Sequence, residues 1–441
     1  MSGVVIALLL FGAMLLLMAV RVPIAMAMMV PGLVGYVALA SWPALMNFMK
    51  GVAYARLANY DLTVIPLFLL MGGFASQGGL SRSLFQAGNA LIGHLRGGMA
   101  MASVLACAAF GSICGSSVAT AATMTKVALP EMRRLNYSGR LATGALAAGG
   151  TLGIMIPPSV ILVLYAILAE QNIAKLFAAA LIPGLIATAG YCIAIAVHVR
   201  FRPQDGPPSP RHSRAELLQS LRDVWPVAAI FVAVFVGIYG GWFTPTEAAA
   251  IGAAGTFVVA MLRGELGWSG IRTVFYETAL TSGMIFMLFL GADVLNATLA
   301  LSQFPAALSS IVSNSGMPPV AVIAAILIFY VILGCVMDEI SMILLTLPIF
   351  IPTVVGLDLF GLGPNEKLIW FGILVLMVVE IGLIMPPVGL NVYVINGLAR
   401  DVPIAETYRG VMPFLASDFI RTALLLAFPS LSLWLVGVLV R

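Results

Sequence analysis

Two short strings carry the chemistry of this chain: Gly153-Ile-Met-Ile-Pro157-Pro158-Ser159 and Gly382-Leu-Ile-Met-Pro386-Pro387-Val388. Their first prolines stand 229 positions apart (386 − 157) in 441 residues, so each half holds one copy. Proline has no amide hydrogen and clashes with the preceding turn, so a Pro-Pro pair breaks a helix. Both copies lie inside apolar runs, and lipid tolerates a broken helix only where protein buries it or it lines a cavity. Paired breaks at matching places in two halves are the best sequence pointer to a transporter binding site. The chemistry is coordination by carbonyls and amides that the breaks release, joined by nearby hydroxyls and acids. Gly111-Ser112-Ile-Cys-Gly-Ser116-Ser117 and Met337-Asp338-Glu339-Ile-Ser341 supply such groups. Serine and glycine also serve close helix packing. Asp338, Glu339 and Glu380 are ionisable groups inside apolar segments, which are rare and functional by default. By the same offset Glu380 corresponds to Thr151, so only the second half carries buried negative charge.

Composition fixes the solvent around these groups. The chain is 61% hydrophobic and 9% charged, which leaves too little polar surface to cover a soluble core. The net charge of +4 comes from basic residues in short loops, not from a nucleic-acid-binding patch. Cys107, Cys114, Cys192 and Cys335 have no disulfide or metal spacing, and His94, His198 and His212 do not cluster with carboxylates. A hydrolytic or redox enzyme would lack catalytic parts. The apolar run Val4–Val20 has no basic residue ahead of it and Arg21 behind it. It reads as a first spanning helix with its N-terminus outside, not as a cleaved signal.

The positioning elements follow from spans of about twenty residues. Helices are expected at 3–20, 23–41 and 62–78, then an amphipathic interfacial stretch at 81–97. A re-entrant hairpin at 99–128, a broken helix at 143–169 and a helix at 174–199 complete a first repeat, 1–199. The Pro- and Arg-rich linker 200–222 follows. The second repeat, 223–441, has helices at 223–240, 245–262 and 274–295, then an amphipathic stretch at 299–316. A hairpin at 317–355, a broken helix at 368–394 and a last helix at 418–440 close it. The fold class is thus an all-α polytopic membrane protein with inverted repeats, about 10–11 transmembrane helices and two re-entrant hairpins. This topology places 17 of the 22 Lys and Arg inside, leaving Lys50, Arg56, Lys175, Lys367 and Arg441 outside. Hairpin 1 then opens to the cytoplasm and hairpin 2 to the exterior.

The string Gly111–Thr120, the two Pro-Pro motifs, Phe243-Thr244-Pro245-Thr246-Glu247-Ala-Ala-Ala250 and Glu380–Asn391 together resemble the large membrane subunit of tripartite ATP-independent periplasmic transporters, of the DctM-like kind within the ion transporter superfamily. The resemblance covers essentially the whole chain. It implies a sodium-driven importer of an organic acid, such as a C4-dicarboxylate, in the bacterial inner membrane. It also implies a soluble periplasmic substrate-binding protein, a small four-helix membrane subunit and an elevator-type movement. With no further helices ahead of Met1, the chain resembles the form whose small subunit is a separate chain. Phe243–Ala250 itself reads as a capped helix start, with Pro245 in its first turn.

Sodium needs several hard oxygen ligands, which unwound carbonyls supply. Ligands are expected from Ser112, Ser116, Gly150 and Thr151 in the first half. Asp338, Glu339, Glu380, Gly382 and Gly389 are their expected counterparts in the second, giving at least two sites. Substrate contacts are expected from Ser116, Ser117, Pro157, Pro158 and Ser159, and from Pro386, Pro387 and Asn391. No Lys or Arg lies in either motif, so helix N-termini and bound sodium would compensate an organic anion. The alternative is a stand-alone sodium- or proton-coupled carboxylate symporter with the same hairpins and no soluble partner.

Overall fold

A computed structural model of the chain describes residues 3–335 and 337–440. Met1, where the chain was expected to begin without a fused partner, and Arg441, expected outside, lie beyond the described residues. All regular elements among the described residues are helical.

The first half runs α1 (Gly3–Ala19), α2 (Ile24–Leu39), α3 (Trp42–Leu57), a 3-10 turn (Tyr60–Thr63), α4 (Val64–Gln77), α5 (Leu80–Ile92), α6 (Gly98–Cys114), α7 (Ser117–Arg134), α8 (Gly139–Met155), α9 (Val160–Leu168) and α10 (Ile173–Phe201). The second runs α11 (Arg214–Tyr239), α12 (Pro245–Leu262), α13 (Trp268–Leu301), α14 (Phe304–Asn314), α15 (Pro319–Gly334), α16 (Glu339–Gly356), α17 (Pro364–Ile384), α18 (Leu390–Leu398), α19 (Ile404–Ala427) and α20 (Ser430–Leu439). Among the described residues seven helices are long and apolar enough to cross a membrane, and two bent pairs raise the number to nine.

The order repeats. The pair α3–α4, bent by 49°, stands where α13 stands as one unbroken helix (268 − 42 = 226). The amphipathic α5 and α14 correspond (304 − 80 = 224), as do the hairpins α6–α7 and α15–α16 and the broken helices α8–α9 and α17–α18. Contacts are exchanged between halves: α2 packs on α13, and α4 on α12. Gly32 makes the first approach possible, because a Cβ there would lie 2.9 Å from the Leu295 amide nitrogen. Thr298 Oγ1 donates to the Gly32 carbonyl at 2.7 Å across the same seam.

Three expected boundaries change. The helix α3 was not expected; Asn47, Lys50, Gly51 and Arg56 dilute its apolar pattern, although Ser41 caps it and Pro43 sits in its first turn. Its Arg56 is fixed by an ion pair with Asp293 and lies 5.1 Å from the Phe289 ring centroid. The linker is shorter than 200–222, since Ser213 and Glu216 form a capping box that starts α11 at Arg214. The last expected helix is two, because α19 begins after Pro403 and Pro429 separates it from α20. Helix α17 lies at the centre, with every residue from Leu368 to Ile384 buried.

Candidate functional site

In a helix the carbonyl of residue i accepts from the amide of residue i+4. Pro157 and Pro158 therefore leave the Gly153 and Ile154 carbonyls without that donor, and Pro386 and Pro387 do the same to Gly382 and Leu383. Both Pro-Pro bonds are cis. Each glycine is also the point where a hairpin closes on the broken helix. A Cβ on Gly382 would lie 2.7 Å from the Gly334 Cα, and one on Gly153 would lie 2.6 Å from Thr120 Oγ1. Ser159 caps α9, accepting from the Leu162 amide at 3.4 Å. Gly389 enters α18 in the left-handed region at φ 60°, where glycine is favoured.

The two breaks are finished differently. Tyr408 Oη donates to the carbonyls of Pro387 (2.9 Å) and Val388 (2.6 Å), and the Cys335 thiol lies 3.6 Å from the Pro386 oxygen. No described residue donates to the Pro157 or Pro158 carbonyls. The first break is buried and leaves its carbonyls unpaired among the described residues, whereas Pro387 and Val388 of the second are exposed.

The two hairpin tips meet. Ser116 caps α7, accepting from the Ala119 amide at 3.4 Å, and Asp338 caps α16, accepting from the Ser341 amide at 3.1 Å. Beside these caps, Ser117 Oγ donates to Glu339 Oε1 at 3.2 Å, joining residues from opposite halves. Asn391 Nδ2 reaches the Ala147 carbonyl at 3.4 Å, tying α18 to α8. Among the described residues, Thr120 Oγ1, Glu339 Oε2 and Ser341 Oγ on α7 and α16 are buried oxygens without a hydrogen-bond partner, as is Asn391 Oδ1 on α18. A buried polar atom left bare is costly. Hydroxyl, carboxylate and amide oxygens are also the donors a hard cation takes, so this set fits sodium.

Other expected ligands are placed elsewhere. Ser112 Oγ donates to the Ala109 carbonyl at 2.7 Å within its own helix. Gly150 is a packing glycine, where a Cβ would meet Ala121 Cα at 3.0 Å. Glu380 does not stand beside Asp338; its Oε2 accepts from Arg421 Nη2 at 2.8 Å. The same Nη2 reaches Asp418 Oδ1 at 2.9 Å. Tyr191 Oη donates to Asp418 Oδ2 at 2.8 Å and lies 3.2 Å from Thr151 Oγ1. Thr151 and Glu380 thus meet in one buried network spanning α8, α10, α17 and α19.

Arg421 corrects the basic-residue count, which put it in a cytoplasmic loop; it is 2% exposed in the core. Sequence reasoning missed it, although Asp418 and Arg421, an i,i+3 pair within an apolar run, signalled a paired buried charge. Tyr408, Tyr191 and Cys335 gave no such signal.

A polar cavity of about 690 Å³ lies where the α2–α4 and α12–α13 group meets the hairpin group. Arg56, Asp293 and Asn296 line one side, and Gln171, Asn172 and Pro348 the other.

The family model for the DctM component of the tripartite ATP-independent periplasmic transporter matches residues 11–431. The chain is 35% identical over 376 residues to the C4-dicarboxylate TRAP transporter large permease protein DctM of Pseudomonas aeruginosa, covering 85% of this chain and 86% of that one. It is 29% identical over 392 residues to the sialic acid TRAP transporter large permease protein SiaM of Vibrio cholerae, covering 88% and 89%. Its fold is similar to the crystal structure of the Alcanivorax borkumensis YdaH transporter. The TM-score there is 0.61 at 15% identity, covering 87% of this chain and 89% of that one.

Proposed function

The chain belongs to the DctM component family of tripartite ATP-independent periplasmic transporters, and from that premise we propose that it imports an organic acid with sodium as the coupling ion. It is a multi-pass transport permease subunit of the bacterial inner membrane. The observation that carries the sodium reading is the meeting of the tips at Ser117 and Glu339, surrounded by buried oxygens without partners. Thr120, Glu339 and Ser341, with the carbonyls of Gly153 and Ile154, would hold sodium. The bound ion supplies positive charge that these segments lack. Ser116, Ser117, Ser159 and Asn391, with the N-termini of α7, α9, α16 and α18, orient the carboxylate of the substrate. The paired Glu380 is left out of this set.

In this reading a periplasmic binding protein delivers the substrate and a small membrane subunit packs against the frame of α1–α4 and α11–α13. The polar cavity at Arg56 and Gln171 lies on the side that the basic-residue count assigns to the exterior, which suits an entry vestibule. The substrate class stays at carboxylates, since relatives carry names as different as C4-dicarboxylate and sialic acid permeases. Co-reconstitution with the binding protein and the small subunit tests the proposal. Uptake is expected to need an imposed sodium gradient and the binding protein, and to ignore ATP. Full uptake in sodium-free buffer would replace sodium by protons. Full uptake without the binding protein would restore the stand-alone symporter, which the family membership does not favour.

A further inference from the structure

Away from the tips, on the side that the basic-residue count assigns to the cytoplasm, an apolar groove ends in unpaired positive charge. Helices α10 and α19 touch at Gly190, where a Cβ would overlap Ser417 Oγ. From that contact a groove of about 560 Å³ runs between them towards Phe201 and Arg202. Its walls are apolar. Ile193, Val197 and Phe201 of α10 and Ile420 of α19 are exposed along it, with Pro413 and Ala416 completing the lining. Its end is cationic, lined by Arg140, His198 and Arg202. Pro413 has no amide hydrogen to give the Arg409 carbonyl, which accepts from Arg140 Nη2 at 3.1 Å instead. Arg140 Nε is buried and has no hydrogen-bond partner among the described residues. The acids nearby are already paired: Asp401 with Arg133, Glu406 with Arg409 at 2.8 Å, and Asp205 with His198 at 2.7 Å. Among the described residues Arg140 and Arg202 have no acid partner.

We propose that this groove binds one anionic phospholipid of the cytoplasmic leaflet, with an acyl chain along α10 and α19 and the headgroup phosphate between Arg140 and Arg202. A soluble anion would engage the cations and leave the apolar walls bare. A lipid without net charge would cover the walls and leave the two cations uncompensated. An apolar chain with a negative head satisfies both. Basic pockets between helices at the cytoplasmic surface take such headgroups, because guanidinium and phosphate form strong charge-assisted hydrogen bonds there. Helix α8 begins at Gly139, so the positive end of its dipole lies beside Arg140 and adds to the attraction. One consequence rests on the moving-domain reading: a lipid held by α8, α10 and α19 favours the position in which this end faces the cytoplasmic leaflet. The binding itself depends neither on that reading nor on sodium coupling.

The test is native mass spectrometry of the full chain in detergent, without sodium or organic acid, titrated with phosphatidylglycerol or with phosphatidylethanolamine of the same acyl chains. One phosphatidylglycerol should be retained per chain, about fivefold more tightly than phosphatidylethanolamine, since one basic group near a headgroup is worth about that factor. R202Q removes an exposed side chain without an ion pair and should weaken phosphatidylglycerol retention about fivefold, and R140Q/R202Q about thirtyfold. V197W fills the groove from an exposed position and should weaken retention of both lipids. Full retention of phosphatidylglycerol in R202Q and R140Q/R202Q, or in V197W, overturns the proposal. So does equal retention of the two lipids by the wild-type chain. Displacement of phosphatidylglycerol by excess glycerol phosphate would make this a site for a soluble anion and overturns it. Loss of the lipid when the small membrane subunit is added would make the groove a subunit interface, which overturns it as well.

Discussion

Glu339 shows how one side chain can serve both halves of the molecule. One oxygen accepts from Ser117 and the other is buried without a partner. Removing the hydroxyl in Ser117→Ala deletes a hydrogen bond to an acid, which contributes about 2 kcal/mol, and leaves the fold intact. We expect S117A to insert normally and to raise the sodium concentration for half-maximal uptake by about tenfold, since about 1.4 kcal/mol is a factor of ten. Glu339→Gln should reach the membrane and lose sodium-stimulated uptake; an unchanged sodium dependence in both variants would remove the tips from the cation site. Much of this was legible in the residues, because acids and hydroxyls in apolar runs need partners. The identity of the partners was not. Nothing local says that Glu380 answers to Arg421, 41 residues later, while Glu339 answers to Ser117, 222 residues earlier.

At the scale of elements, the two glycine seams decide how closely hairpin and broken helix approach. A Cβ on Gly382 must displace the backbone of α15, whose Gly334 Cα would be 2.7 Å away. Overpacking of this kind costs about 1–3 kcal/mol, so Gly382→Ala should lower the melting temperature and abolish uptake. Gly283→Ala in α13 meets nothing within 4 Å and should behave as wild type in the same melting assay. Equal behaviour of the two variants would mean that the seam is looser than described. The broken helices could be placed from sequence because a Pro-Pro pair acts on its own two turns. The bend between α3 and α4 could not, since α3 is held by Arg56 against Asp293 and Phe289 on a distant helix. The N-terminal part of α19 escaped notice for a similar reason, its polar turn around Glu406 and Arg409 resembling a loop.

At the scale of the whole molecule, the reading is one of two groups moving against each other. Asn296 on α13 and Pro348 on α16 line the same cavity from opposite groups. In a chain lacking Cys107, Cys114, Cys192 and Cys335, a short cross-link between Asn296→Cys and Pro348→Cys should stop uptake and spare sodium binding. Undiminished uptake at complete cross-linking would argue for gating at the tips alone. Cysteine at Arg211, exposed in the linker, should react only from the cytoplasm, and cysteine at Asn365, exposed in the first turn of α17, only from outside. Reaction of both from one face would refute the inverted topology.

The complete burial of α17 bears on how the chain is made. The helix is apolar enough to leave the insertion machinery into lipid by itself, yet in the finished protein its residues from Leu368 to Ile384 are shielded from lipid. It must therefore be withdrawn from the bilayer after insertion, as neighbouring helices arrive and close round it. Glu380 enters first, and its cation Arg421 is synthesised 41 residues afterwards. Until α19 emerges, the nascent protein holds an acid in the membrane with no counterpart. Assembly of the core is thus timed by the last long helix, and chains that stop short of it present to the cell's quality control a marked, incomplete intermediate.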